Sequence, residues 1–252
     1  MKIKYAIMSS DSNPLYLDFW PIVSKIWKEI FDITPVLYYI DHNQEKDIDE
    51  TYGKVIKMTP VDNIPIYLQC LWVRYWSFTQ YTDDVCIISD IDMLPLSKKF
   101  FIEKVKDIEE NKYVHLNPCY ETYGTLPSCY HVSKGSLFQK ILDLPSSWEE
   151  SIKNLHSLNL GRNPGGHLEG KTQWFADEKF SSDKIFLYKK NNDDEVIFLP
   201  RENGQNGFRI DRINWRYQPE LVKEGYYFDS HSIRPYSTYK NHIDFLVNLL
   251  FQ

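Results

Sequence analysis

Little in this chain favours a disulfide scaffold, a zinc site or a membrane span. Its four cysteines, Cys70, Cys86, Cys119 and Cys129, form no C-x-x-C pair and no zinc spacing. Cys70 and Cys86 fall in apolar segments and are expected as small core residues. Cys119 and Cys129 are spaced to bridge a loop, but thiols in a reducing compartment are the favoured expectation. No run approaches the roughly twenty apolar residues that a membrane span requires. The apolar stretch after Met1 is too short for a signal peptide and reads as a first strand, so a cytoplasmic location is expected. Basic charge is in deficit: 29 Lys and Arg against 35 Asp and Glu leave −6, which disfavours a nucleic-acid partner. Repeats, low-complexity tracts and a clear domain linker are also missing.

Aromatic residues, by contrast, are plentiful: 18 Tyr, 14 Phe and 7 Trp. Tyr and Trp offer a flat apolar face with a polar tip, suited to sugars or bases. Codon usage in an AT-rich genome explains the same excess equally well. With 42% apolar and 25% charged residues, a chain of 252 residues has the make-up of an ordinary globular domain. It is read as one domain over 1–252, with halves 1–95 and 96–252.

The first half alternates strands and helices. Strands are expected at Lys4–Met8, Pro35–Ile40, Tyr52–Met58 and Val85–Ser89, with a helix at Leu15–Phe31, kinked at Pro21, and another at Ile66–Tyr81. That β-α-β-α-β order predicts an α/β fold with a mostly parallel, Rossmann-like sheet flanked by helices. Beyond Pro95 the pattern predicts a charged helix at Lys98–Asn111, a strand at Tyr113–Asn117 and a helix at Ser133–Leu142. A helix opening in Trp174–Phe180 is expected before late strands at Asp183–Tyr188 and Val196–Leu199. Residues Asn159–Gly170 hold four glycines and a proline and read as a loop. Asn191–Glu195 reads as a solvated turn. Tyr239–Phe251 reads as an amphipathic helix packed on the sheet, with peripheral membrane contact the lesser alternative because a basic face is missing.

The most informative run is Val85-Cys86-Ile87-Ile88-Ser89-Asp90-Ile91-Asp92. Ligands of open α/β sheets gather at the carboxyl ends of strands, and two carboxylates appear there. In extended chain, residues i and i+2 point the same way, so Asp90 and Asp92 are expected to converge on Mg²⁺ or Mn²⁺ and a phosphorylated substrate. The plainer alternative is a turn with one Asp as a cap.

The layout resembles the GT-A nucleotide-sugar glycosyltransferases, in particular the small glycogenin-like and lipopolysaccharide galactosyltransferase enzymes. A helix bearing a basic residue, Leu71-Trp72-Val73-Arg74-Tyr75-Trp76, precedes an apolar strand ending in D-x-D, as in that family. The resemblance implies a GT-A fold, a UDP-sugar or similar nucleotide-sugar donor, and a glycan or other hydroxyl acceptor. By the same resemblance Arg74 approaches the donor phosphates, and Ser9, Ser10 and Asp11 meet the nucleotide. Asp41 reaches a ribose hydroxyl, as acids closing the second strand do in doubly wound folds. Asp92 is the firmer metal ligand, while Asp90 serves the metal, its water or the ribose. In Phe228–Tyr236 the family pattern His … Lys-Pro-Trp is echoed by His231, Arg234 and Pro235-Tyr236. His231 becomes the third metal ligand and Arg234 a diphosphate ligand, although the gap is shorter, a glycine is missing and Tyr replaces Trp. Asp177, with Glu178 second, becomes the acid beside the acceptor. Acids at a helix start are equally good N-terminal residues.

Tyr113–Gly135 and the indoles of Trp148, Trp174 and Trp215 are candidates for a sugar-binding wall or for core. Two rivals remain. A haloacid-dehalogenase-like phosphatase also uses D-x-D after an apolar strand, and a carbohydrate-binding module without turnover would use the same surface.

Overall fold

The computed structural model describes residues 1–118, 124–161, 170–199 and 209–252. Its centre is a seven-stranded sheet in the order β3-β2-β1-β4-β7-β6-β8. The strands are β1 (Ile3–Ser10), β2 (Thr34–Ile40), β3 (Lys54–Met58), β4 (Val85–Ile88), β6 (Tyr113–Leu116), β7 (His131–Lys134) and β8 (Val196–Leu199). Only β7 runs antiparallel to its neighbours β4 and β6. The expected α/β class, a mostly parallel sheet flanked by helices, is what the structure shows. The chain places β2 and β3 on one side of β1, then returns to place β4 on the other. The crevice between β1 and β4 is therefore a topological switch point, where open α/β sheets take their ligands.

The central strands β2 and β4 are buried on both faces, which explains their near-continuous apolar sequence. Ala6, Met8, Val85 and Ile87 face one core, and Ile7, Cys86 and Ile88 face the other. Four helices cover the second face: α3 (Ile66–Trp76), α4 (Gly135–Leu142), α5 (Trp148–Ser157) and α6 (Ala176–Asn191). The first face is covered by α2 (Trp20–Lys25), α8 (Tyr236–Asn248) and a three-stranded sheet. That sheet pairs β10 (Asp229–His231) with β5 (Met93–Pro95) antiparallel and with β9 (Arg209–Asp211) parallel. Two short helices, α1 (Pro14–Leu17) and α7 (Pro219–Lys223), complete the described α-helices.

Several expected elements take another form. Asp183–Tyr188 is not a strand; it continues α6, where only Ile185 of its apolar residues is buried and Lys179 pairs with Asp183 one turn on. The Leu15–Phe31 helix breaks at Asp18-Phe19, and Pro21 lies in the first turn of α2, where its missing N–H is not needed. Lys98–Asn111 keeps only a five-residue π-helical turn, Lys99–Glu103, because the adjacent rings of Phe100 and Phe101 both turn into the core. The Ser133–Leu142 helix begins at Gly135, after the unforeseen strand β7. A side chain there would meet the Tyr81 carbonyl oxygen at 2.2 Å, so only glycine fits. The terminal helix buries Ile243, Leu246 and Val247 against the core, which is the packing role expected of it.

Candidate active site

The carboxyl ends of β1 and β4 open into a cavity of about 450 Å³. Ser9, Ser10, Asp11, Arg74, Asp90, Asp92, Asp177, Glu178, His231 and Arg234 all line it, although 225 positions separate the first of them from the last. Asp41 does not. Its carboxylate accepts the N–H groups of Ser12 (3.1 Å) and Asn43 (2.9 Å), so it braces the loop after β1. Burial would raise its pKa, but those bonds outweigh it and the group stays below its ordinary value. Within that loop the Ser9 hydroxyl donates to the Cys70 carbonyl and the Ser10 hydroxyl to the Asp11 carbonyl (2.9 Å). Asn13 caps α1 by accepting Leu15 N–H at 3.0 Å.

The D-x-D residues occupy a turn between β4 and β5, closed by Met93 N–H on the Asp90 carbonyl (3.1 Å), and not an extended strand. Asp90 and Asp92 consequently face different partners. Arg74 donates Nη1 to Asp90 Oδ1, and the Cys129 thiol lies 3.4 Å from Asp90 Oδ2. Burial pushes the Asp90 carboxyl up; Arg74, His231 and the thiol outweigh that and hold it below the usual carboxylate range. Asp92 Oδ2 instead has Arg212 Nη2 at 2.9 Å, Arg234 Nη1 at 3.5 Å and His231 Nε2 at 3.9 Å.

His231 is set by the small sheet. Its Nδ1 stands 3.5 Å from Asp211 Oδ2, and that contact draws the Asp211 carboxyl down to about 2. A carboxylate at Nδ1 is the usual outer support of a metal-binding imidazole, and it leaves Nε2 on the side of Asp92. Behind it, buried Asp229 anchors β10 by accepting Arg209 Nε (2.7 Å), Arg209 Nη2 (2.5 Å) and Tyr130 OH (2.6 Å). Two carboxylates and an imidazole on one cavity suit Mg²⁺ or Mn²⁺ in chemistry. Among the described residues, however, no three His, Cys, Asp or Glu side chains are gathered as a metal cluster.

The acids at the start of α6 form the opposite pole. Asp177 is 1% exposed, and its Oδ2 accepts the Ser128 hydroxyl at 2.8 Å and stands 3.4 Å from Arg74 Nη2. Glu178 is half-buried and accepts Ser128 N–H at 3.1 Å. Burial, then the neighbouring Asp177 charge, lifts the Glu178 carboxyl to about 8. Asp177 is also raised, by burial against the opposing pull of Arg74 and Ser128. Half-buried Glu178 beside buried Asp177 thus keeps its proton near neutral pH, the property a proton-transfer centre needs. Phe175 before them sits at φ 75°, a left-handed conformation costly for a bulky residue, and it delivers the acids into the cavity.

The cavity also contains residues without a sequence signal: Arg212, Ser128, Lys171 and Tyr67. Lys171 Nζ lies 4.6 Å over the Trp174 ring and 5.3 Å over Tyr67, building an aromatic wall beside the acids. Of the three candidate tryptophans only Trp174 lines the cavity; Trp148 packs on Trp76 and Trp215 on Tyr217. Cys70, Cys86 and Cys129 are free thiols. Cys119, Tyr120–Tyr123 of the proposed wall and most of the Asn159–Gly170 loop lie outside the described residues.

No family model and no curated protein sequence matches the chain. Among solved structures it is similar to the glycosyltransferase GlyE of Streptococcus pneumoniae TIGR4, with 12% identity and a TM-score of 0.47. That likeness covers 97% of this chain and 51% of GlyE, so the chain spans about half the length of that protein. It is also similar to the galactosyltransferase LgtC in complex with donor and acceptor sugar analogues. There the identity is 12%, the TM-score 0.45, and the coverage 98% of this chain and 95% of LgtC. Likeness at this level carries no functional reading by itself, and the residues of the cavity must supply one.

Proposed function

We propose that the protein is a metal-dependent glycosyltransferase that moves a sugar from a nucleotide-sugar, in first place a UDP-sugar, to a hydroxyl of a glycan or similar acceptor. One observation supports this most: a single cavity with cations at one end, an acid pair at the other and Arg74 between them. A nucleotide-sugar has a matching polarity, with a diphosphate at one end of the bond to be broken and an incoming hydroxyl at the other. The loop Ser9–Asp11 and Arg234 line that cavity, and in this reading the loop would meet the nucleoside and Arg234 the diphosphate.

Asp92 and His231, with Asp90 nearby, would hold Mn²⁺ or Mg²⁺. When bound, the metal would neutralise charge on the departing diphosphate. The protein's own groups do the rest. Arg74 holds Asp90 ionised and orients Asp177. Glu178 or Asp177 takes the acceptor hydroxyl's proton as the new bond to the anomeric carbon forms. The old bond's electron pair leaves with the diphosphate. The aromatic wall of Trp174 and Tyr67 offers a face for the acceptor sugar. A cytoplasmic location belongs to the same proposal and agrees with the free thiols. For the phosphatase alternative Asp90 would be the nucleophile, but both its oxygens are engaged by Arg74 and Cys129.

The test is a panel of nucleotide-sugars incubated with and without Mn²⁺, with nucleotide release followed by chromatography. Metal-stimulated hydrolysis or transfer from one donor supports the reading. Phosphate release from simple esters with no nucleotide-sugar turnover would overturn it in favour of the phosphatase.

A further inference from the structure

Ser128 lies in the irregular stretch before β7, yet it grips both acids at the start of α6. Its hydroxyl stands 2.8 Å from Asp177 Oδ2 and 3.4 Å from Glu178 Oε1. Its N–H donates to that same Glu178 oxygen at 3.1 Å. A hydroxyl has one proton to donate, and the shorter contact gives it to Asp177. One residue therefore supplies a donor to each carboxylate and holds the two side by side. Ser128 is buried, so water competes little for these bonds.

The chain around Ser128 is fixed from two sides. Toward α6, Leu126 N–H donates to the Ser182 hydroxyl (2.8 Å), which donates to the Glu178 carbonyl (2.5 Å). Toward the sheet, fully buried His115 of β6 brings Nε2 to 2.9 Å from the Pro127 carbonyl oxygen. A carbonyl only accepts, so Nε2 carries the proton and donates. Burial draws this imidazole down to about 4, so near neutral pH it adds no charge of its own beside the acids. The Pro127 carbonyl and the Ser128 N–H belong to one peptide group. A donor at the oxygen of that group polarises its N–H, so His115 strengthens the bond to Glu178 without touching it.

We infer that Ser128 is a positioning residue for the acid pair: its hydroxyl and N–H set the separation and direction of the two carboxylates, and His115 braces it from the sheet. Without the hydroxyl, Asp177 Oδ2 keeps one side-chain donor among the described residues, Arg74 at 3.4 Å. The catalytic consequence rests on the proposed transfer reaction, but the grip on the carboxylates is measurable with no substrate present. Arg74 and Tyr75 of α3 and Asp90 after β4 also face the pair, Lys171 lines the same cavity, and the test leaves all four unaltered.

Carboxyl-carbon NMR in EDTA follows the titration of Asp177 in the intact protein, Ser128→Ala and Ser128→Thr, with Asp177→Asn to assign the signal. Ser128→Ala is expected to raise the Asp177 midpoint by about one pH unit, the loss of one hydrogen bond to a charged group. On any nucleotide-sugar that the unaltered protein turns over, its kcat is expected to fall about tenfold or more with the donor KM unchanged. Ser128→Thr restores a hydroxyl and is expected to recover both. An unmoved Asp177 midpoint in Ser128→Ala overturns the inference, as does a moved midpoint with undiminished kcat. A moved midpoint in a protein that turns over no nucleotide-sugar keeps the grip of Ser128 and overturns the transfer reading instead. His115→Phe keeps a ring without the donor and is expected to lower kcat in the same direction, and His115→Gln, which retains an N–H, to recover it. Equal kcat in these two variants overturns the brace.

Discussion

Arg74 and Asp177 lie 103 positions apart in sequence, and their side chains meet at 3.4 Å with almost no exposure on either. The same guanidinium binds Asp90, so one buried cation links the end of β4 to the start of α6. Removing it leaves Asp177 without its only cationic partner among the described residues. Arg74→Met is therefore expected to destabilise the fold by about 3 kcal/mol, the usual cost of breaking a buried pair on one side. Urea unfolding measures this, and a loss under half a kcal/mol (about a twofold change in the equilibrium) would contradict the linkage.

The acid pair makes stability depend on pH with a definite sign. Unfolded, Glu178 gives up its proton near 4.5; folded, it holds the proton to about 8. Between these values the folded state binds more protons than the unfolded one. Its contribution is complete below about pH 4.5 and is lost as pH rises through 8. Glu178→Gln is expected to flatten that decline and to melt higher than the unaltered protein at pH 8.5. Parallel melting curves of the two proteins across pH 5–9 would contradict it.

Transfer should follow the opposite trend, because a base works only when ionised. Activity is expected to rise through about pH 8 and to level off only above it. Replacing the working acid, by Glu178→Gln or Asp177→Asn, is expected to lower turnover by about 10² to 10⁴-fold. Comparing pH–rate profiles of both variants identifies which acid takes the proton. If both keep near-normal turnover, neither does.

Asp92 collects Arg212, Arg234 and His231 on one oxygen. Asp92→Asn is expected to abolish the Mn²⁺ dependence and to lower transfer by about a hundredfold or more. Stability is expected to change little, since the three partners are partly exposed. Titration of Mn²⁺ against turnover provides the check, and an unchanged metal response excludes Asp92 as a ligand.

Gly135 begins α4 directly beneath the Tyr81 and Phe78 carbonyls. Gly135→Ala forces backbone on backbone and is expected to cost about 1–3 kcal/mol by overpacking. Thermal melting would show this without any assay of activity.

Much of the site was visible one segment at a time. Apolar runs ending in polar residues predicted β1, β2 and β4, and the acids after Ile88 were recognised because a strand's carboxyl end is a physical position. Pairing across space was not visible. Asp90 and Asp92 were expected to point together from an extended strand, but a turn sends them to different cations. Asp183–Tyr188 misled because a short apolar run fits strand or helix equally, and the ion pairs of α6 are a helical property. Arg212 and Ser128 carried no local signal, since each matters only through partners 120 and 49 residues away.

The sequence by itself determined the α/β class, the strand end that carries the D-x-D acids and the chemical types available there. Hydrophobic period and chain order are local properties, and they suffice for a sheet and its ends. Which carboxylate meets which cation was decided by tertiary structure. The small sheet brings His231, Asp211 and Arg212 to Asp92, while α3 and α6 bring Arg74 between Asp90 and Asp177. Charge and burial set the working state of those acids, and both depend on neighbours that only the folded chain supplies.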